Sequence, residues 1–255
     1  MSKFVAVPSA VDSQSAHPRS PEDRPVTYQL TMRACDGMVI ASDRRERLVS
    51  DTNYPYLGVP NHVCKVRLDL TGKYPWVFSG ESLAPVLSRH LTRALSVNNA
   101  MSDAEVVEAL ERCHSPAYEE WHGNSSGRSD ACIVLACGES KKIFRFRMLI
   151  DGEVEEQREG MVVSGQTFNL AAFLPIRYYS SKMTADELAC LAAYSIRWAH
   201  DLDSAFVDGL DIAMYHDSTR KFEMMDSQLY WSKAEEIDAE MRRVLPGILS
   251  PKSPF

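Results

Sequence analysis

The sequence predicts an α+β fold: a four-layer αββα sandwich with two antiparallel sheets between helix layers. Strand hairpins alternate along the chain with helix pairs, in the order ββ, ββ, αα, βββ, αα, ββ, α. Four-residue capping motifs open helices at Ser102, Thr184 and Ser232. The chain carries no internal repeat and no glycine-rich phosphate loop.

Residues 1–26 hold four of the 13 prolines, five serines and three charges of each sign. Such a stretch buries too little apolar surface to offset its ordering, so it reads as a disordered leader. Residues 27–255 then form a single domain. Alternation begins at Thr27 and runs to 34. Asp36-Gly37 gives a two-residue hairpin signal, and 38–42 returns. A second hairpin is expected from 64–70 and 74–79 around Thr71-Gly72-Lys73.

A helix over 81–97 places Leu83, Leu87, Leu91 and Ala94 on one face, with Pro85 tolerable in its first turn. The box Ser102–Glu105 opens a helix to about Cys113. After the turn at 124–129, strands are expected at 131–136, 142–149 and 160–163, with Gly138 and Asp151-Gly152 marking turns. A helix follows Gly165, and another, capped by Thr184, runs to about Ala199. Strands at 210–215 and 220–226 flank Asp217-Ser218. The last helix is expected to start at Ser232 and stop before Pro246-Gly247.

With 45% hydrophobic and 25% charged residues, 255 residues make an ordinary globular chain. A net charge of −7 argues against a dedicated nucleic-acid binder. No uncharged apolar run reaches the length of a membrane span, and the first residues lack a secretory apolar core, so a cytoplasmic protein is expected. Six scattered cysteines without a CxxC pair read as reduced thiols. Cys113 and His114 are adjacent and point in different directions on a helix, so they do not make a dyad. Seven histidines show no metal spacing. Neither a metal nor a cofactor is indicated.

Four tracts carry chemistry: Asp36–Arg45 (DGMVIASDRR), Cys64–Arg67 (CKVR), Val163–Phe168 (VSGQTF) and Ala199–Ser204 (AHDLDS). In this order, over roughly 27–226, they resemble proteasome β-type subunits of the N-terminal nucleophile (Ntn) hydrolases, bacterial proteasome homologues most of all. The resemblance implies the Ntn-hydrolase version of the sandwich. It also implies that Thr27, sixteen positions ahead of Asp43, is the nucleophile exposed when the leader is removed. A threonine hydroxyl is a weak nucleophile without a base, and a freed α-amino group, of pKa about 7.7–8, is such a base.

By the same resemblance Lys65 supplies a positive charge beside the threonine oxygen, and Asp43 holds that lysine. Arg45 gives structural support. Ser164 and Asp203 orient the new amino terminus, and the Gly80 N–H faces the oxyanion. Val63, Phe78 and Ser82 approach the positions lining the first specificity pocket, which would favour small or medium apolar residues.

Three departures from the family pattern are visible. Val26 precedes Thr27 where self-processing members usually carry glycine. The stretch between Asp43 and Lys65 is longer and holds Pro55 and Pro60, and Phe206 replaces a second orienting serine. The resemblance implies a threonine peptidase in a stacked double ring of identical subunits. Its substrates would be unfolded polypeptides fed by an ATPase unfoldase. Two alternatives remain: a non-catalytic ring subunit with an uncleaved leader, and a small-molecule Ntn amidase. In the ring, Leu95, Tyr194 and Trp198 are expected at subunit contacts.

Overall fold

The computed structural model describes residues 27–46, 61–62, 64–68, 74–80, 84–98, 102–122, 132–147, 154–165, 170–202, 204 and 207–249. The strands are β1 (Tyr28–Arg33), β2 (Gly37–Ser42), β3 (Arg45–Glu46), β4 (Asn61–His62), β5 (Val66–Leu68) and β6 (Trp76–Ser79). They continue with β7 (Cys132–Cys137), β8 (Lys142–Arg147), β9 (Val154–Gln157), β10 (Met161–Gly165), β11 (Asp211–His216) and β12 (Lys221–Met224). The helices are α1 (Ala84–Asn98), α2 (Asp103–His122), α3 (Phe173–Tyr178), α4 (Ala185–Leu202) and α5 (Ser227–Leu249), with a 3₁₀ turn at Leu170–Ala172 before α3.

One five-stranded sheet has the order β10-β1-β2-β11-β12, and the other runs β5-β6-β7-β8-β9. Every pairing is antiparallel, and β3 with β4 forms a separate two-stranded ribbon. Strand alternation sorts the side chains into three cores. Tyr28, Leu30, Met32, Val39, Ala41, Ile212 and Met214 point outward from the first sheet, onto Leu188, Ala192 and Ile196 of α4 and Tyr230 of α5. Trp76, Phe78, Ile133 and Leu135 point outward from the second sheet, onto Leu87, Leu91 and Leu95 of α1 and Leu110 of α2. Met38, Ile40, Val77, Val134, Ala136, Ala213 and Tyr215 fill the space between the sheets. Those three cores are the boundaries of a four-layer αββα sandwich.

The space between the sheets changes character along its length. Neighbouring strands of the first sheet line up Ser164, Gln29, Ser42 and Asp211 in one row, all buried and all polar. From the second sheet, the Ser79 hydroxyl donates to Gln29 Oε1 at 2.5 Å. The apolar filling therefore stops short of the end at which Thr27 enters β1.

Several elements depart from the sequence expectation. Asp36-Gly37 was expected to form the two-residue turn. Instead Arg33 pairs with Met38, and the Ala34 N–H donates to the Gly37 carbonyl, so Cys35 and Asp36 make the turn. Gly37 already belongs to β2, where it pairs with His216 of β11, and the position takes glycine because a Cβ there would lie 1.8 Å from the Tyr215 carbonyl oxygen. α2 continues past Cys113 and through Pro116 to His122, because Leu110, Cys113 and Ala117 extend one buried stripe. The strand β9, Val-Glu-Glu-Gln, has no alternation to announce it and forms by edge pairing with β8.

α5 begins at Ser227 rather than Ser232, since the Asp226 carboxylate already accepts the Gln228 N–H at 2.9 Å. It also includes Pro246 and Gly247. The Thr184 box forms as expected. Glu187 accepts the Thr184 N–H at 2.8 Å, and Thr184 Oγ1 accepts the Glu187 N–H at 3.3 Å. Leu95 is buried beneath α2 within the subunit, while Tyr194 and Trp198 are partly buried against the α4 core. The leader, Leu83 and the turns expected at 71–73, 124–129 and 151–152 lie outside the described residues.

Candidate active site

Thr27 stands immediately before β1, and Asp43 immediately after the antiparallel β2. Hairpin pairing alone therefore brings their backbones together. The Asp43 N–H donates to the Tyr28 carbonyl at 3.1 Å, and the Tyr28 N–H returns a bond to Asp43 Oδ1 at 2.8 Å. Lys65 arrives from the other sheet, one residue ahead of β5. Its ammonium donates to Thr27 Oγ1 at 3.1 Å and to Asp43 Oδ2 at 3.0 Å. Asp43 Oδ2 also accepts the Arg45 N–H at 2.9 Å.

Both charges are out of water: Lys65 is 1% exposed and Asp43 is fully buried. Burial pushes the Asp43 carboxyl up to about 6. The Lys65 charge and the three hydrogen bonds act in the opposite direction. An ammonium bonded to a hydroxyl oxygen cannot take the hydroxyl proton, because it has no free lone pair. Lys65 is thus placed to stabilise negative charge on Thr27 Oγ1, and a separate base is required. While Val26 is attached, the Thr27 nitrogen is an amide and has no basic lone pair.

The remaining expected residues occupy distinct places. Gly80 is buried just after β6, and its N–H donates to the Lys65 carbonyl at 3.2 Å. The Ser164 hydroxyl is buried beside Gln29 with no hydrogen-bond partner among the described residues. Arg45 donates to the Ser204 carbonyl at 2.5 Å and faces Asp208 at 3.9 Å, tying the β3–β4 ribbon to the segment after α4. Phe78 is fully buried in the α1 layer, opposite Arg67 in the ladder, and stacks on Trp76 with centroids 5.9 Å apart. Asp203, Val63 and Ser82 lie outside the described residues.

Sequence reasoning passed over Gln29, Ser79 and Asp211. The only signal for Asp211 was a carboxylate opening an otherwise apolar strand, Asp-Ile-Ala-Met-Tyr. Among the described residues, no group of three or more His, Cys, Asp and Glu could hold a metal ion. No described helix is long and apolar enough to cross a membrane.

No protein-family model matches the chain, and no curated protein matches it. Solved structures do. Anbu from Hyphomicrobium sp. strain MC1 superposes with a TM-score of 0.67 at 14% identity, over 89% of this chain and 100% of that one. Anbu (ancestral beta-subunit) from Yersinia bercovieri gives 0.67 at 16% identity, over 89% of this chain and 99% of that one. The helical assembly of the Anbu complex from Pseudomonas aeruginosa gives 0.62 at 16%, over 89% and 99%.

At such identities the likeness shows the fold. It also corrects the expected kinship: the neighbours are Anbu proteins, proteasome-like but distinct, and the relation to proteasome β-type subunits is distant. The physical reason lies in where the tracts fall. They fall on β2 and its flanks, the start of β5, the end of β10 and the end of α4, so they report the elements of this sandwich and do not name one group that uses it.

Proposed function

We propose that this chain, once cut between Val26 and Thr27, is an N-terminal threonine peptidase. The observation that carries the reading is the buried Lys65 ammonium held between Thr27 Oγ1 and Asp43 Oδ2. After cleavage, the freed α-amino group takes the Thr27 hydroxyl proton, and Oγ1 attacks the substrate carbonyl carbon. Lys65 lowers the energy of the developing alkoxide. The tetrahedral intermediate collapses by breaking the C–N bond, and the α-ammonium returns its proton to the leaving amine. The resulting ester on Thr27 is then hydrolysed by a water that the same amine deprotonates.

In this reading Ser164 and Asp203 orient the amine. The buried Ser164 hydroxyl, without a hydrogen-bond partner among the described residues, supports such a role, since it has a donor to give. Gly80 serves the oxyanion by turning its N–H from the Lys65 carbonyl toward substrate. Val63 and Ser82 shape an apolar first pocket, to which Phe78, fully buried under α1, contributes only from beneath. Unfolded polypeptide is the substrate class, delivered by an ATPase unfoldase.

Self-association belongs to the same proposal. One solved neighbour is described as a helical assembly. On this chain, α3 leaves Phe173 68% exposed and Ile176 62% exposed, an apolar surface suited to a second copy. Enclosing the site in a double ring or helical array would restrict it to extended chains.

The test is the intact mass of purified protein, before and after incubation with a peptide β-lactone that acylates nucleophilic hydroxyls. A mature chain starting at Thr27 and carrying one acyl group on that residue is the expected result. A mature chain that never acylates would overturn the reading. Val26, standing where glycine is usual before such a threonine, favours one second reading: a non-catalytic subunit that remains at 28.7 kDa.

A further inference from the structure

Lys65 lies just before β5, and its N–H is taken by a side chain from the opposite sheet. Asp211, the first residue of β11, accepts that N–H on Oδ2 at 3.0 Å. Its other oxygen, Oδ1, faces Arg44 Nε at 3.3 Å. The Cys64 thiol, next to Lys65 in the chain, donates its proton to the Val66 carbonyl at 3.1 Å. Asp211 is 3% exposed, so a charge has been brought into the interior where an apolar residue would have continued β11.

Why keep it there? Strand pairing supplies the position. Asp211 lies opposite Ser42 in the ladder, one residue before Asp43, so the two carboxylates flank the end of β2. Asp43 holds the Lys65 side chain by its ammonium, and Asp211 holds the same residue by its backbone. The Lys65 carbonyl in turn receives the Gly80 N–H. The Lys65 backbone is thus tied across the sandwich by the Asp211 hydrogen bond, beside the bonds its ammonium makes to Thr27 and Asp43.

We infer that Asp211 is a positioning residue. It fixes the Lys65 backbone across the sandwich and so sets the distance from the Lys65 ammonium to Thr27 Oγ1. Arg44 acts one step further out, by fixing the carboxylate. The inference rests on the peptidase reading for its catalytic consequence, while the cross-sheet hydrogen bond stands apart from it. Displacing a reacting group by about 1 Å costs about a hundredfold in rate, which sets the scale of the effect.

The experiment compares full-length wild type with Asp211→Asn, Asp211→Ala and Asp211→Glu. Two readouts are used: acylation of Thr27 by a peptide β-lactone, resolved into its saturation constant and maximal rate, and hydrogen exchange of the Lys65 amide. Asparagine keeps an oxygen for the Lys65 N–H, so D211N should acylate within about threefold of wild type. D211A should lose at least tenfold in maximal rate with its saturation constant nearly unchanged, and its Lys65 amide should exchange faster. Should D211A not fold, D211E decides: it keeps the charge but moves the acceptor by one methylene, and its maximal rate should fall while D211N retains its own.

Wild-type acylation rates in both D211A and D211E would overturn the inference. So would a Lys65 amide that exchanges in D211A, or in D211E if D211A does not fold, as slowly as in wild type. Loss in D211N equal to that in D211A would mean that bulk charge rather than the hydrogen bond matters, and would overturn it as well. Failure of the peptidase reading looks different, because wild-type Thr27 then stays unacylated. The exchange comparison still decides whether Asp211 positions Lys65.

Discussion

Lys65 Nζ lies 3.0 Å from Asp43 Oδ2, an ion pair with almost no exposed surface whose partners come from different sheets. Lys65 precedes β5 of one sheet, and Asp43 follows β2 of the other. The pair therefore forms only when the sandwich closes. A buried pair of this kind is weak evidence for stability, since desolvating both charges offsets much of their attraction.

Removing one partner should be costly. Lys65→Ala leaves Asp43 buried without its cation and should destabilise the fold by about 3 kcal/mol, read from denaturant midpoints. Replacing both partners, as Lys65→Met with Asp43→Leu, should recover much of that loss and remain inactive. A double variant no more stable than the single one would show that the pair is a net source of stability.

The pH dependence separates activity from stability. Burial raises the Asp43 carboxyl from 3.8 to about 6. Folded Asp43 thus binds its proton more tightly than unfolded Asp43. The stability that it contributes is fully present below about pH 4 and is lost as pH rises through about 6. Activity should move the other way, falling as pH drops through about 6, because a neutral carboxyl releases the Lys65 ammonium. Rate–pH profiles of wild type and Asp43→Asn check this: the wild-type limb near 6 should be missing in the variant's residual activity.

At the nucleophile, Thr27→Ala should abolish both leader cleavage and turnover, whereas Thr27→Ser should keep part of each. Lys65→Ala should lower turnover by about 10²–10³-fold, the usual cost of one well-placed electrostatic partner. Val26→Gly should speed leader cleavage, because the branched side chain hinders the backbone at the attacked carbonyl. Time courses of intact mass read all four variants, and unchanged processing in Val26→Gly would refute the steric explanation.

Gly37 and Gly138 make a controlled comparison. A Cβ on Gly37 would meet the Tyr215 backbone oxygen at 1.8 Å, and one on Gly138 would meet the Tyr215 ring at 2.4 Å. Backbone in a ladder cannot step aside, whereas a side chain can change its rotamer. Gly37→Ala should therefore cost about 3 kcal/mol, and Gly138→Ala distinctly less. Equal losses in urea titrations would mean that the ring is as tightly held as the strand.

Much of this molecule is determined locally, and that part was legible in the sequence. Alternation in β1, the apolar runs of β2 and β11, the Thr184 and Ser102 boxes and the α1 stripe each depend on residues a few positions apart, so a pattern in one segment suffices. Thr27 and Asp43 were singled out by the family resemblance rather than by a local pattern, and the hairpin of β1 and β2 is what brings them together. What the sequence did not show depends on contacts between distant segments. Gly37 reads as a turn residue until β11 is laid against it, and β9 has no pattern of its own and exists by pairing with β8. Asp211 reads as a strand-opening carboxylate until the second sheet brings the Lys65 N–H within 3.0 Å. Only closure of the sandwich decides such contacts, because a buried polar group takes its partner from whatever segment packing places opposite it, however far away in the chain.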